Sequence, residues 1–355
     1  METGVNSAHA APLWRELGES GELRRLYTGD VDKRFGLDTA ALSRLLTTLD
    51  ERHPLAVVLS VCVQVATALP IVMNSSSRAA AGVARAALDG RSTVALAVTD
   101  AELPGSDLTA LATTAKIGPD SVTVTGAKDW IVNATVADHA VVLARHRPGP
   151  HPTSFVLVLV PMRSRGVAVT AQRSAMYLPA AVGRIRFDDV VVDRDHLLVP
   201  PGRGMVEFSR RMATERLAGA FWSTALLRRQ LALVRRQLGA NGVWRHSAVR
   251  IRFAEALMHF RQLAALCDRL CRARERAEST DAEAALVKAA AGLAVDRVLG
   301  ICADLAGRDG FLDEGIQQVR AQAAMFGTAG GATHTMLGLV ASGADRLLED
   351  ALWAS

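Results

Sequence analysis

Three stretches with different hydrophobic periods divide the 355-residue chain. Residues 1 to about 93 carry a helical period. Asp38-Thr39-Ala40-Ala41 opens an amphipathic helix with Leu42, Leu45, Leu46 and Leu49 on one face. The apolar run Leu55 to Met73 follows, interrupted by Gln64, Thr67 and Pro70. It borders on membrane-spanning length and reads first as a buried helix of a helical domain, with a membrane span as the lesser alternative. An alanine-rich helix from Ser76 to about Leu88 ends at Asp89-Gly90.

From Val94 to about Val199 the period becomes that of strands. Ser121 to Thr125 alternates cleanly, and Ala140 to Ala144 and Ser154 to Val160 are β-branched runs bounded by Pro and Gly. Gly183 to Phe187 alternates again and stops before Asp188-Asp189. These strands predict a compact antiparallel β domain, a small barrel. From about Gly204 the helical period returns in long segments: Met205 to Leu238, Ser247 to Arg276, Thr280 to Leu305, and the last residues. They predict an antiparallel four-helix bundle. The expected organisation is an N-terminal helical domain over 1–93, a middle β domain over 94–203 and a C-terminal helical bundle over 204–355, an α+β multidomain chain.

Composition agrees with a globular protein that has ample core: half the residues are hydrophobic and 22% are charged. The net charge is +5, and four of the 41 basic residues are lysines (Lys33, Lys116, Lys128, Lys288). Arginine clamps phosphates bidentately, so the balance suits a nucleotide-bearing ligand or an acidic carrier protein. Nucleic acid is the weaker reading, since no basic-aromatic motif or zinc finger appears. Cys62, Cys267, Cys271 and Cys302 all sit in apolar helical stretches and read as reduced buried thiols. No metal site is expected, because the histidines lack partners at ligand spacing. Walker, Gly-x-Gly-x-x-Gly and Gly-x-Ser-x-Gly motifs are absent. The N-terminus lacks a signal-peptide pattern, which points to the cytoplasm.

Two segments carry the chemistry. Val98-Thr99-Asp100-Ala101-Glu102-Leu103-Pro104-Gly105-Ser106-Asp107 ends a hydrophobic strand in a Pro-Gly-Ser-Asp turn, and Lys128-Asp129-Trp130-Ile131-Val132-Asn133 puts a tryptophan on another strand. In this order and spacing they resemble the Thr-Glu-Pro-x-x-Gly-Ser-Asp and Trp-Ile-Thr-Asn motifs of the acyl-CoA dehydrogenase family. The order of helical domain, β-barrel and helical bundle matches that family too.

The resemblance implies FAD as cofactor and α,β-dehydrogenation of an acyl thioester of CoA or of an acyl carrier protein. A carboxylate base would sit in an apolar pocket that raises its pKa. The family's commonest base position reads Phe326 here, within Met325-Phe326-Gly327-Thr328. A second base position, just before an arginine, reads Glu215-Arg216. Glu215 shares a helical face with Gly219, Trp222 and Leu226; its alternative is a surface pair with Arg211. Arg216 resembles the arginine that helps hold the thioester carrier, and Ser106, Trp222 and Phe326 would join it around the substrate.

For the flavin, the resemblance implies Leu96, Val98, Thr99, Gly105, Ser106, Trp130, Ile131 and Val132, the last in place of a threonine. Arg235, Gln237 and Leu238 resemble the Arg-x-x-Phe-Gly motif directed at the diphosphate across a subunit interface. Asp304, Gly307 and Arg308 stand where the family has Gln-x-x-Gly-Gly, with Arg308 placed to offset Asp304. Gly327 and Thr328 resemble the Gly-Thr that faces the adenosine half. Gly330-Gly331 read as a flexible helix junction.

The implied assembly is a homo-oligomer, dimer or tetramer, with an electron-transfer flavoprotein or similar acceptor as partner. Two other readings stand beside this one, and Phe326, Val132, Asp304 and the short N-terminal domain favour the first of them. One is the degenerate subunit of a heteromeric dehydrogenase. The other is a non-redox enzyme on the same fold that uses Glu215 for proton transfer.

Overall fold

The computed structural model describes residues 11–28, 36–101, 108–276, 280–312 and 315–351. Contacts group the chain into two compact units: Met1–Leu42 with Ala56–Met212, and Ser43–Leu55 with Ala213–Ser355.

The first unit opens with helices α1 (Ala11–Glu19) and α2 (Glu22–Arg25) and a short ladder of β1 (Tyr27–Thr28) on β2 (Gly36–Leu37). Helix α3 (Thr39–Arg52) starts where the sequence predicts, with Asp38 Oδ1 accepting the Ala41 N–H at 2.9 Å. The apolar run is one continuous rod: α4 (Leu55–Val63), a π-helical turn over Gln64–Ala68, and α5 (Leu69–Met73). It is long and apolar enough to cross a membrane, yet 94% of it is buried inside the protein. Its polar residues serve the fold: Gln64 Oε1 accepts the Val94 N–H at 2.9 Å, and Ser60 Oγ donates to Asn133 Oδ1 at 2.5 Å. Helix α6 (Arg78–Leu88) is capped by Ser77, whose Oγ accepts the Ala80 N–H.

The sheet contains β3 (Val94–Ala97), β4 (Thr114–Ile117), β5 (Ser121–Ile131), β6 (His139–Arg145), β7 (Phe155–Pro161), β8 (Val167–Ala171) and β9 (Gly183–Asp193). Its order is β3-β6-β4-β5-β9-β8, with β7 also on β6. It is mixed and not wholly antiparallel: β3 lies parallel to β6, because the β4–β5 excursion returns the chain in the same direction. Strands β6 and β7 are buried on both faces, which explains their continuous apolar runs. Asp188-Asp189 does not end β9. Asp189 takes a positive φ of 46°, the register shifts between Val124 and Gly126 opposite, and the strand continues to Asp193.

Helix α7 (Gly204–Ala240) crosses from the first unit into the second. There α8 (Ser247–Glu275) and α9 (Asp281–Ala306) follow as expected. The last segment is not one long helix. It breaks into α10 (Ile316–Ala323), a 3₁₀ turn over Ala324–Gly327, α11 (Thr333–Ser342) and α12 (Ala344–Ala351). Gly330 and Gly331, with φ of 72° and 114°, make the principal break.

Candidate active site

In the first unit, β5 ends on the sequence motif. Trp130 has φ of 54°, an outlier for a bulky residue, and 58% of it is exposed. Such a conformation costs on the order of 1–3 kcal/mol and persists only where its surroundings impose it. Here they do. Asp129 Oδ1 accepts the Trp130 N–H at 2.9 Å and also a hydrogen bond from Gln172 Nε2. The Asp129 N–H donates to the Thr99 carbonyl at 2.9 Å. On the far side, buried Asn133, also at positive φ, clasps Ser60 through both ends of its amide. The described part of the first motif, Val98 to Ala101, therefore lies beside the second, with the indole presented to solvent. A cleft of about 270 Å³ opens beside them, lined by Gln172, Tyr177, Leu178 and Val182 among others.

Behind Thr99 lies a buried ion pair. Lys128 Nζ stands 2.6 Å from Asp100 Oδ1 and donates to the Val98 carbonyl at 2.7 Å; neither side chain is more than 4% exposed. Asp100 also accepts hydrogen bonds from the Thr113 N–H and Oγ1 and from the Ala112 N–H. Burial pulls Lys128 down to about 8 against the opposing pull of Asp100. Burial alone would raise Asp100, but the Lys128 charge and the surrounding donors outweigh it and hold the carboxyl below its ordinary range. The pair fixes the backbone on both sides of Thr99. The strand period could have shown it: Lys128 shares the inward face of β5 with Val122 and Val124, and an inward lysine demands a partner.

The remaining residues expected near the flavin on this unit differ in what they can offer. Thr99, Leu96 and Val132 are half-buried. Val98 and Ile131 are buried in the protein interior, so chiefly their backbone is left for a ligand. Gly105 and Ser106 lie outside the described residues.

In the second unit, Glu215 of α7 meets the turn that follows the 3₁₀ segment. Its Oε2 is sealed from solvent and has no hydrogen-bond partner. Gly330 takes a positive φ that favours glycine, and a Cβ built there would meet both carboxylate oxygens and push the Glu215 side chain aside. Burial pushes the Glu215 carboxyl above its usual range, and the Lys288 and Arg216 charges pull it partly back. Phe326 is buried and packs edge-on against Trp222, with ring centroids 4.7 Å apart. Trp222 Nε1 donates to Asp50 Oδ1 at 3.1 Å, and Arg229 Nε donates to Asp50 Oδ2 at 2.7 Å. The carboxylate thus sits against a glycine turn, and the segment leading into that turn packs on Trp222, two helical turns along α7 from Glu215. The surface pair with Arg211 does not form, because Arg211 bonds Glu207. Arg216 is no surface charge either: its Nε is buried without a partner, and burial lowers its pKa against the pull of Glu215 and Asp281.

The candidates for the diphosphate and adenosine half also lie in the second unit. The Arg235 guanidinium stacks 3.8 Å over the Trp244 ring, and Trp244 packs edge-on against Phe253. Gln237 Nε2 donates to Asp309 Oδ2 at 2.8 Å, and Leu238 is packed inside. Asp304 is offset by Arg252, 3.3 Å away, and not by Arg308, which is exposed and nearest Asp309. Gly307 has φ of 57°, and Gly327 and Thr328 form the turn after Phe326. Among the described residues no cluster of three His, Cys, Asp or Glu could hold a metal. Cys267 and Cys302 are buried, and burial pushes both thiols up to about 12, leaving them unreactive.

Residues 95–190 match the family model described as the acyl-CoA dehydrogenase middle domain, and residues 202–344 match the acyl-CoA dehydrogenase C-terminal domain. A short-chain specific acyl-CoA dehydrogenase of Bos taurus mitochondria is 26% identical over 210 residues, covering 57% of this chain and 51% of its own. An acyl-[acyl-carrier-protein] dehydrogenase, MbtN, of Mycobacterium sp. (strain MCS) is 30% identical over 145 residues, covering 38% of this chain and 36% of its own. The chain thus spans about half or less of the curated relatives it matches. Among solved structures, the FAD complex of PigA has a TM-score of 0.88 at 15% identity, covering 97% of this chain and 92% of its own. A probable acyl-CoA dehydrogenase of Mycobacterium abscessus has a TM-score of 0.84 at 21% identity, covering 94% and 90%.

Proposed function

Because the chain belongs to the acyl-CoA dehydrogenase family, we propose that it is an FAD-dependent oxidoreductase acting on an acyl thioester, with Glu215 as the base. The observation that carries this reading is the Glu215 carboxylate: its Oε2 is sealed and unpartnered, its pKa is raised by burial, and the backbone of Gly330 faces it. A base must be desolvated enough to want a proton and must keep an oxygen free to take it, and the Glu215 Oε2 meets both conditions. It would take the α-proton of the acyl group while the β-hydrogen leaves as hydride. Bound FAD would supply the hydride acceptor. The residues fit that cofactor. The exposed Trp130 indole offers a flat face to the ring system, the Thr99 segment beside it is fixed from behind, and Arg235 and Arg308 are cations suited to a diphosphate.

Thioesters of CoA and of acyl carrier proteins share phosphopantetheine, and both substrate names occur among the relatives. Arg216 is the residue proposed to favour that carrier over a free acid. A homo-oligomer, dimer or tetramer, is proposed as the working assembly, with an electron-transfer flavoprotein or similar protein as acceptor.

The test has two parts. Cofactor released by heat should chromatograph as FAD; FMN, or nothing from folded protein, counts against the reading. Anaerobic flavin bleaching by an acyl thioester should slow ~10²–10⁴-fold in Glu215→Gln, the usual contribution of a general base. Equal bleaching by the two proteins removes Glu215 from the role and moves the base to a partner chain.

A further inference from the structure

Helix α9 buries a lysine on an otherwise apolar face. Ala284, Ala285, Val287, Ala289 and Ala291 around it are buried, and Lys288 itself is 3% exposed. An ammonium taken out of water must find strong acceptors or an opposite charge. Lys288 has both. Its Nζ donates to the Phe326 carbonyl at 2.6 Å, and its charge pulls the pKa of the Glu215 carboxyl down against burial.

The contact with Phe326 is structural and reaches the base. Phe326 begins the turn that ends at Gly330, whose backbone lies against Glu215. One helical turn beyond Lys288, Gly292 meets the same segment so closely that a Cβ there would stand 3.2 Å from the Phe326 carbonyl and still nearer Thr333 Oγ1. Thr333 Oγ1 in turn donates to the Gly327 carbonyl at 3.3 Å. The turn is thus held down on α9 by a bond at Lys288 and by close approach at Gly292.

We propose that Lys288 is a positioning residue for the base: it ties the Phe326–Gly330 turn to α9, so that Gly330 walls Glu215, and it presents the positive charge that an ionised carboxylate needs in an apolar pocket. The other charges around Glu215 do not substitute for it. Arg216, next in the same helix, is shared with Asp281. Arg274 of α8 is bonded to Thr214. Asp50 of α3 is bound by Arg229 and Trp222. The Phe326–Gly330 turn brings no charge.

This inference rests on Glu215 as the base, but its test reads the carboxyl itself. The side-chain carboxyl carbons of glutamate are labelled with ¹³C, and the Glu215 signal is assigned by its loss in Glu215→Gln. Its titration midpoint is then followed by NMR in the parent, Lys288→Met and Lys288→Arg. Lys288→Met should raise the midpoint by about one pH unit, the effect of removing a nearby opposite charge. Lys288→Arg should leave it near the parent's. An unmoved midpoint in Lys288→Met overturns the proposal even if the melting temperature falls. So does an equal rise in both variants. If Lys288→Met does not fold, Lys288→Gln, which keeps an N–H for the Phe326 carbonyl and removes the charge, is read by the same criterion. Loss or survival of flavin bleaching in Glu215→Gln reports separately on the base.

Discussion

The carboxylate of Glu215 lies in the space that a Cβ on Gly330 would occupy. A helix residue and a turn residue 115 positions later in the chain thus meet, and a side chain on the second would move the carboxylate of the first. Gly330→Ala should therefore harm the protein twice. Alanine at a positive φ costs roughly 1–2 kcal/mol, and the new methyl displaces the base. Misplacing a reacting group by about 1 Å can cost ~10²-fold in rate. Circular dichroism should show a folded variant, and anaerobic flavin bleaching should show the loss. Bleaching at the parent's rate would mean that the base does not sit against this turn.

Glu215 should also cost stability where it serves chemistry. Its folded pKa is raised above the unfolded value, chiefly by burial. A carboxyl of that kind binds protons more readily folded than unfolded, so the protein loses stability as pH rises through the folded pKa. Glu215→Gln carries no such charge. Its melting temperature should exceed the parent's at pH 8, and the gap should close as pH falls below the folded pKa. A variant that melts below the parent at pH 8 by scanning fluorimetry would show that the carboxylate is not paying for burial.

Much of this arrangement is legible in the amino-acid sequence, because period and punctuation act locally. The leucine face after Asp38, the alternation from Ser121 and the Glu-Arg pair in α7 each lie within a few residues of the features that define them. What escaped depends on distant partners. The parallel pairing of β3 with β6 is a matter of topology, and the run of β9 past Asp188-Asp189 depends on a compensating irregularity in β5. The Glu215–Arg211 pair has good helical spacing, but Glu207 offers the same arginine an equal step on the other side and wins it. Lys288 gave a partial signal: it shares a helical face with Ala285, Gly292, Val295 and Leu299, where a charge is out of place. Nothing near it in sequence names Phe326 or Glu215 as the reason.

Trp130 combines an exposed ring with a strained backbone, which is a poor bargain for folding alone. Trp130→Gly should relieve the positive φ, worth about 1 kcal/mol or more, while losing little burial. The apoprotein should therefore melt no lower than the parent. Its affinity for FAD, titrated by flavin fluorescence, should fall ~10–100-fold if an aromatic stack worth about 1–3 kcal/mol is lost, by analogy with bases on aromatic side chains. Unchanged affinity would detach the indole from the cofactor.

The Lys128–Asp100 pair makes the last expectation, and its signature is in pairs of variants. Removing one member of a buried ion pair leaves the other uncompensated and costs about 3–5 kcal/mol, whereas replacing both by apolar residues is often nearly neutral. Lys128→Met alone should thus lower stability sharply, and Lys128→Met with Asp100→Leu should recover a large part of it in urea unfolding. The pH dependence separates the charge from the packing. Lys128 titrates at about 8 in the folded protein, below its ordinary 10.5, so the folded state gives up the proton first. Between those values the unfolded chain binds more protons, and the parent should gain stability as pH rises. Lys128→Met lacks the titrating group and should lack that gain. Since the same ammonium holds the Val98 carbonyl beside Thr99, the double variant should regain stability without regaining the parent's affinity for FAD. Recovery of both together would show that the pair serves the fold and not the cofactor cradle.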